Sequence, residues 1–131
     1  MTLKHYINPV KLAKILVVDD TPINMDLLTH AVEDMGHDAI EATDGQDAWV
    51  KTASGQIDFA ILDYDMPIMN GIDFVKKIQA GGFEGPVIFL SGHGDPATLK
   101  KIEGLKIHKF IEKPFEPEEI VKTIKNIFQL S

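Results

Sequence analysis

The sequence predicts an α/β fold, a five-stranded parallel sheet that is doubly wound, with helices on both of its faces. Apolar runs of strand length alternate five times with segments of helical periodicity along the chain. The runs are apolar at consecutive positions, which is typical of strands buried on both faces. This alternation specifies parallel strands joined by right-handed crossovers, so the carboxyl ends of the strands meet at one edge of the sheet.

The strands are predicted from short runs rich in β-branched and aromatic residues. The run 15–18 is continuous and stops at two consecutive acids. The runs 57–62 and 86–91 have the same character, and the first of them also leads into an acid. Two less apolar runs, 37–42 and 108–111, complete the predicted set of strands.

The helices are predicted from their boundary residues and their apolar spacing. The first begins at Thr21 and Pro22, because Thr is a favoured N-cap and Pro is favoured at the first helical position. Gly36 ends it. A second helix opens at Asp44 and ends at Gly55. The other helices are predicted at 71–80, 96–102 and 116–128.

The length and charge of the chain limit the classes of protein to which it can belong. Its 131 residues suffice for one domain with a buried core, expected at 14–131 after a polar lead-in at 1–13. Acidic residues number 20 against 13 basic ones, and every basic residue is Lys. Nucleic-acid surfaces need clustered basic charge and favour Arg, so direct nucleic-acid binding is not expected.

The absence of three further features excludes other classes. The chain has no Cys, so disulfides, thiolate metal sites and thiol nucleophiles are excluded. No apolar run approaches membrane-spanning length, and the first residues carry no apolar signal-peptide core. We therefore expect a cytoplasmic protein without membrane insertion.

Polar and charged residues stand where the predicted strands end. In a doubly wound fold these residues share one cleft. Clustered carboxylates cannot all stay ionised without a cation, and Mg²⁺ is the hard divalent ion that prefers oxygen ligands. The set of residues consists of Asp19, Asp20, Asp63, Asp65, Ser91 and Lys113.

This set of residues suits phosphoryl transfer. A carboxylate such as Asp63 can attack a phosphoryl group and form an acyl phosphate. The reaction then needs positioning and neutralisation of the phosphoryl oxygens. Mg²⁺ supplies two charges, Lys113 supplies a third, and Ser91 supplies a hydrogen bond. Gly92 leaves room for the group and offers a free backbone N–H.

The chain resembles the receiver domain of two-component response regulators from about residue 14 to residue 128. Four motifs carry the resemblance: the acid pair Asp19-Asp20 after an apolar run, Asp63-Tyr-Asp-Met-Pro with Gly71 beyond it, Ser91-Gly92, and Lys113-Pro114-Phe115. The resemblance implies a flavodoxin-like sandwich of three layers. It further implies that Asp63 accepts a phosphoryl group from the phosphohistidine of a histidine kinase or a histidine phosphotransfer protein.

The resemblance also assigns roles to the other residues. It implies Mg²⁺ or Mn²⁺ held by Asp20, Asp63 and the backbone carbonyl of Asp65, with Asp19 acting directly or through water. Ser91 and Lys113 bind the phosphoryl group and read the phosphorylated state, and the Lys113–Pro114 bond is expected to be cis. Phe110 takes the position of the aromatic switch that alters the surface of the fourth helix, fifth strand and fifth helix. Such a domain catalyses only its own phosphorylation and dephosphorylation and is not otherwise an enzyme.

Two positions near the predicted site are expected to tune the lifetime of the acyl phosphate. Asp65 lies two residues beyond the acceptor, and His93 lies two residues beyond Ser91. We expect the charge of Asp65 to change how water reaches the acyl phosphate. A comparison of the half-life of the phosphoryl adduct in wild type and in Asp65→Asn tests this expectation. The other four His show no ligand spacing and are interpreted, with His93, as surface or loop residues: His5, His30, His37 and His108.

Other functions were weighed against the receiver. Asp63 and Asp65 match the Asp-x-Asp motif of haloacid-dehalogenase-type phosphatases, but that motif normally lies on the first strand of a larger protein. A flavodoxin-like electron carrier needs a glycine- and hydroxyl-rich phosphate loop after the first strand, where this chain has two acids. An EF-hand fails because Pro67 replaces the third ligand. A degenerate receiver is disfavoured by the complete residue set.

The sequence leaves the pathway open. We expect a free-standing regulator or a phosphorelay intermediate, with a receiver excised from a hybrid histidine kinase as the alternative, which the pattern of Asn24 and Leu27 favours. Thr21, Ile23 and Asn24 are candidates for contact with the histidine donor. The cognate kinase, the downstream target protein and the oligomeric state cannot be read from the sequence.

Overall fold

Within the residues that the structure describes, the chain folds as five strands and five helices in strict alternation. The structure, a computed structural model, describes residues 12–54, 57–64, 70–92 and 96–129. The lead-in expected at 1–13 therefore lies almost wholly outside the described residues. The elements are β1 (Lys14–Val18), α1 (Pro22–Asp34), β2 (Asp38–Ala42), α2 (Gly45–Ala53), β3 (Phe59–Asp63), α3 (Gly71–Ala80), β4 (Val87–Ser91), α4 (Pro96–Ile102), β5 (Lys109–Glu112) and α5 (Pro117–Gln129).

The strands form one parallel sheet in the order β2-β1-β3-β4-β5, which confirms the predicted fold class. The strand order reverses between β1 and β3, and doubly wound sheets place their clefts at such a reversal. The register pairs Val18 with Leu62 and Asp63 with Leu90. The carboxyl ends of β1, β3 and β4 are therefore neighbours at one edge of the sheet.

Each face of the sheet carries its own apolar core. On one face, α1 and α5 bury Leu28, Val32 and Ile124 against the sheet. On the other face, Phe74 and Val75 of α3 pack with Phe89 of β4. The central strands β3 and β4 are buried along their whole length, as their continuous apolar sequences predict.

The predicted helix boundaries agree with the structure to within about two residues. Thr21 is the N-cap of α1 as predicted, but its side chain accepts no capping hydrogen bond. Asp44 and Asn70 do cap their helices, accepting hydrogen bonds from the backbone N–H groups of Asp47 and Asp73. Gly36 follows α1 with a positive φ of 87°, a conformation that residues with a Cβ rarely adopt.

Gly71 allows α3 to start close against the end of β3. Its N–H donates to the Tyr64 carbonyl at 3.0 Å. A Cβ added at Gly71 would lie 2.5 Å from Cε1 of Phe89 and 3.1 Å from the Asp63 carbonyl oxygen. Only glycine therefore permits this approach beside the predicted acceptor.

We expect Gly71→Ala to destabilise the protein by about 2 kcal/mol, because overpacking a filled core forces backbone and side chains apart. Urea unfolding measures the change. Gly104→Ala is the matched control, since a Cβ there meets nothing within 4 Å. Equal unfolding midpoints for the two variants would contradict the close approach.

The interpretation of His37 as a surface or loop residue is confirmed only in part: His37 lies in the loop between α1 and β2, but it is not at the surface. His37 is 6% exposed and its Nδ1 accepts a hydrogen bond from the Ala13 N–H at 3.1 Å. Its ring stacks on Phe128, with centroids 4.7 Å apart. Tertiary packing buried this ring because the end of α1, the start of β1 and the end of α5 converge there.

The stability of the fold is expected to fall with acid partly through His37. Burial lowers the pKa of His37, and the charge of Asp38 offsets this only in part. The unfolded chain takes up a proton as the pH falls through about 6.5, whereas the native ring resists it. The stabilisation by His37 is therefore complete above that pH and is lost as the pH falls through the lowered pKa.

We expect the stability advantage of wild type over His37→Asn to narrow as the pH falls from 8 to 5. The amide oxygen of Asn can still accept from Ala13 N–H, but it carries no titrating ring. Urea unfolding of both proteins at each pH measures the difference, and the contributions of the carboxylates cancel in it. Parallel stability curves would show that the buried ring is not the cause.

Candidate functional site

Three carboxylates converge at the carboxyl edge of the sheet. Asp19 and Asp20 follow β1, and Asp63 is the last residue of β3. One carboxylate oxygen from each of the three lies within 4.8 Å of the others. Asp19 and Asp63 are 1% and 3% exposed, whereas Asp20 lies at the surface. The structure thus brings the predicted acids together in a cleft with one side open to solvent.

The backbone around β1 fixes the Asp19 carboxylate. The Asp19 N–H donates to the Ala42 carbonyl at 3.3 Å, which continues the pairing with β2. Its Oδ1 accepts a hydrogen bond from the Thr21 N–H at 2.9 Å. A carboxylate that accepts from the N–H two residues on forms an Asx turn, which stabilises the abrupt change from strand to helix. The sequence analysis missed this role, although Asp followed by Thr-Pro suggests such a turn.

Lys113 supplies the positive charge of the cleft. Its Nζ lies 3.0 Å from Oδ2 of Asp63 and 3.4 Å from Oδ2 of Asp19. The Lys113 N–H donates to the Ser91 carbonyl at 2.8 Å, and the Lys113–Pro114 bond is cis as predicted. Burial alone would lower the pKa of the ammonium, but the hydrogen bond and charge of Asp63, with the charge of Asp19, raise it above its ordinary value.

The donor set fits a hard divalent cation. Among the described residues, three carboxylates face a single ammonium, so this part of the cleft keeps an excess of negative charge. Oδ2 of Asp19 is buried and accepts no hydrogen bond within the described parts of the chain. Its 3.4 Å ion pair with Lys113 is longer than a charge-assisted hydrogen bond of about 2.8 Å. An unbonded carboxylate oxygen beside two other acids is a ligand set that suits Mg²⁺ or Mn²⁺.

The remaining predicted residues occupy the strands beside this cleft. Ser91 is fully buried at the end of β4, opposite Glu112 of β5 in the register. Gly92 is exposed, and a Cβ there would meet nothing within 4 Å, so the cleft is open beside it. Phe110 is half-buried, lies opposite Phe89 in the register and packs on the core of the α3 face.

Two predicted residues cannot be placed. Asp65, expected to supply a backbone carbonyl to the metal and to tune the lifetime, lies outside the described residues. His93, the other tuning residue, also lies outside them. Both assignments stay predictions.

A groove lies beside the cleft. The sequence predicted single contact residues in this region but no groove. It has a volume of about 940 Å³ and runs between α1 and α5. Ile23 and Leu27 line it and are 71% and 40% exposed, which is unusual for large apolar side chains on a helix that packs on a sheet. The sequence analysis had singled out Ile23 for contact with the donor, but not the partner helix α5.

The fold and the cleft are those of a receiver domain of two-component systems. The family model for the response regulator receiver domain matches residues 15–125, and the chain belongs to that family. No helix within the described ranges is long and apolar enough to cross a membrane.

Individual response regulators are also similar to this chain in sequence. The chemotaxis protein CheY1 of Helicobacter pylori (strain J99) is 32% identical over 116 residues, 86% of this chain and 94% of that protein. The alkaline phosphatase synthesis transcriptional regulatory protein PhoP of Bacillus subtilis is 32% identical over 120 residues, 90% of this chain. The match spans about half of PhoP, 49% of its length.

Solved structures of response regulators have the same fold as this chain. The chemotaxis response regulator CheY4 of Vibrio cholerae superposes with a TM-score of 0.81 and 29% identity, covering 89% of this chain and 99% of that one. A response regulator receiver domain from Clostridium thermocellum also gives 0.81, at 26% identity, covering 91% and 96%. This chain thus shares its architecture with receivers over nearly its full described length.

Proposed function

We propose that Asp63 accepts a phosphoryl group from the phosphohistidine of a histidine kinase or histidine phosphotransfer protein, in a reaction that depends on Mg²⁺. The observation that carries the proposal is the pairing of the buried Asp63 carboxylate with Lys113 at 3.0 Å, beside an Asp19 oxygen that accepts no hydrogen bond in the described chain. The chain catalyses only its own phosphorylation and dephosphorylation.

The residues of the cleft have separate tasks in this transfer. A carboxylate oxygen of Asp63 attacks phosphorus, the bond from phosphorus to the donor nitrogen breaks, and that nitrogen keeps the electron pair. The other ring nitrogen of the donor imidazole carries a proton in this step, so the products are an acyl phosphate on Asp63 and a neutral imidazole on the donor. Lys113 neutralises charge on the phosphoryl oxygens, and Ser91 donates a hydrogen bond to one of them.

A bound Mg²⁺ supplies positive charge that offsets the clustered carboxylates and the equatorial phosphoryl oxygens. Asp19, Asp20 and Asp63 are the described residues that would hold it. Asp20, which is exposed, keeps that part of the cleft accessible from solvent.

The acyl phosphate is proposed to alter the surface formed by α4, β5 and α5. Ser91 and Lys113 lie at the ends of adjacent strands and are joined by the hydrogen bond from the Lys113 N–H to the Ser91 carbonyl. A shift of Ser91 toward the phosphoryl group therefore acts directly on β5. Phe110, half-buried on that strand, is the aromatic side chain proposed to respond to this shift, and it lacks the hydroxyl that a Tyr would offer.

The donor is proposed to dock on the groove between α1 and α5, with Thr21, Ile23 and Asn24 in contact. The match to 94% of CheY1 supports a regulator that acts through its own surface. Because the match covers only half of PhoP, the alternative that this chain is a receiver within a longer protein, such as a hybrid histidine kinase, is retained.

Incubation with acetyl phosphate and Mg²⁺, followed by intact mass measurement, tests the proposal. We expect one phosphoryl adduct per chain, and none when a chelator removes the cation. The adduct should be cleaved by hydroxylamine, which attacks acyl phosphates. Steady release of phosphate from several phosphate esters would instead favour the Asp-x-Asp phosphatase, and an unmodified mass without any release of phosphate would reject both.

A further inference from the structure

The groove between α1 and α5 carries an excess of exposed acids. The acids that line it are Asp26, Asp34, Glu116, Glu118 and Glu119. Two lysines, Lys122 and Lys125, offset them only in part, and none of these acids forms an ion pair with another residue that the structure describes. The groove therefore combines apolar side chains, such as Ile23 and Leu27, with negative charge. A complementary occupant carries apolar side chains and positive charge.

The chain itself contains a segment of this composition. Residues 1–11 precede the part of the chain that the structure describes. They include Lys4 and Lys11 and no acid, although the net charge of the whole chain is −7. Their larger apolar side chains are those of Leu3, Tyr6, Ile7 and Val10. The segment thus complements the groove both in charge and in apolar character.

The first described residues lie beside one end of the groove. The Ala13 N–H donates to Nδ1 of His37 at 3.1 Å, which ties the chain to the loop after α1. A Cβ added at Gly36 would lie 4.0 Å from Cδ2 of Leu12, so these two residues are neighbours. Gly36 follows Asp34 by two positions, and Asp34 lines the groove. Residue 11 is therefore attached close to the end of the groove that Asp34 forms.

The segment is long enough to follow the whole groove. Along α1, the distance from Asp34 back to Ile23 is about 17 Å, because a helix rises about 1.5 Å per residue. The residues 1–11 can span up to about 36 Å when fully extended. Both Ile23 and Asp34 line the groove, so its two ends are within reach of this segment. Ile23 lies near the start of α1, on the side of the sheet edge that carries the acidic cleft.

We propose that residues 1–11 bind in the groove between α1 and α5 of the same chain and thereby compete with the histidine donor. The competition rests on the proposed function, because this groove is the surface on which the donor is proposed to dock. A small phosphodonor does not need the groove and reaches Asp63 through the open side of the cleft beside Asp20. The segment therefore selects against protein donors without blocking the acceptor itself.

Disulfide trapping in the full chain tests where the segment binds. The chain has no Cys, so two introduced cysteines can form only one internal bond. Val10→Cys with Lys125→Cys joins the segment to the groove, and Val10→Cys with Asn126→Cys is the matched control, since Asn126 is exposed but does not line the groove. Bridged Cα atoms lie within about 7 Å, so we expect the first pair to oxidise at least about fivefold faster. Equal rates, measured by intact mass after alkylation, would overturn the proposal.

A labelled peptide of residues 1–11 tests whether the groove is already occupied, with fluorescence anisotropy as the measurement. We expect Lys4→Glu with Lys11→Glu to bind the peptide at least about fivefold more tightly than wild type, because the segment of wild type competes at an effective concentration of about 1 mM. The control, Lys76→Glu with Lys106→Glu, makes the same change in net charge at exposed positions outside the groove. It should stay within about twofold of wild type, since exposed charges are screened. An equal gain in the control would contradict competition by the segment.

Further outcomes separate this inference from its alternatives. A disulfide between two chains, with self-association in sedimentation, would make a second copy the occupant and would reject the internal contact. The Lys4→Glu, Lys11→Glu variant should still acquire the adduct from acetyl phosphate and Mg²⁺, because a small donor does not use the groove. A wild-type chain that forms no adduct rejects the proposed function, whereas the trapping of Val10→Cys by Lys125→Cys in the unphosphorylated chain decides the position of the segment.

Discussion

Asp63→Asn is expected to abolish the phosphoryl adduct formed with acetyl phosphate and Mg²⁺. The amide keeps nearly the shape of the carboxylate but is far less nucleophilic, so an acyl phosphate does not form. We expect labelling to fall by at least about 100-fold, as measured by intact mass.

Two features make this experiment decisive. Asp63 is the most buried residue of the acid cluster apart from Asp19, so its replacement leaves the surface charge pattern almost unchanged. Glu112→Gln is the matched control, because it neutralises an exposed acid next to Lys113 in sequence. An adduct that persists in Asp63→Asn would place the acceptor on another residue and refute the assignment.

Lys113→Met is expected to destabilise the protein by about 2 kcal/mol and to abolish the response to phosphorylation. Removing one partner of a buried ion pair leaves uncompensated charge and costs about 3–5 kcal/mol. Lys113 is 22% exposed, so solvent screening reduces that cost. Its raised pKa means that the ammonium stabilises fully at neutral pH and that this contribution is lost only as the pH rises through the raised value.

Urea unfolding with and without Mg²⁺ measures the effect of Lys113→Met. We expect the divalent ion to restore more stability to this variant than to wild type, because it replaces the missing positive charge. Lys106→Met is the control, since that lysine is exposed and without an ion pair among the described residues, and it should change stability by less than about 0.5 kcal/mol.

A double variant identifies the cause of the loss. Lys113→Met combined with Asp63→Asn should lose less stability than the sum of the single changes, because the second change removes one of the uncompensated carboxylates. Strict additivity would mean that Lys113 stabilises the fold through its packing and not through the ion pair.

The fold could be predicted almost completely from the sequence. Buried parallel strands such as β3 and β4 are apolar at every position before their last residue, and the amphipathic α5 places apolar residues at helical spacing, so each pattern identifies its element. The boundaries of helices followed from capping chemistry at Asp44 and from Gly36. The burial of His37 was not predicted. This side chain lies where three elements pack together, and a local sequence pattern does not show such tertiary contacts.

The site could be predicted as a set of residues but not as a geometry. The sequence indicated Asp19, Asp20 and Asp63 because parallel strands share one carboxyl edge. It could not distinguish the buried Asp19 from the exposed Asp20, although they are adjacent. The Asx turn to Thr21 makes that distinction, since it directs one carboxylate into the cleft.

The sequence by itself determined the order of strands and helices, the acids at the strand ends and the membership of the receiver family, because these follow from local periodicity and motif spacing. Only the tertiary structure decided which charges pair. Lys113 follows Asp63 by fifty positions in sequence, and their 3.0 Å contact exists because β4 lies between β3 and β5 in the sheet. The exposed groove of α1 and α5 also required the fold, since a surface is formed by residues that packing leaves uncovered.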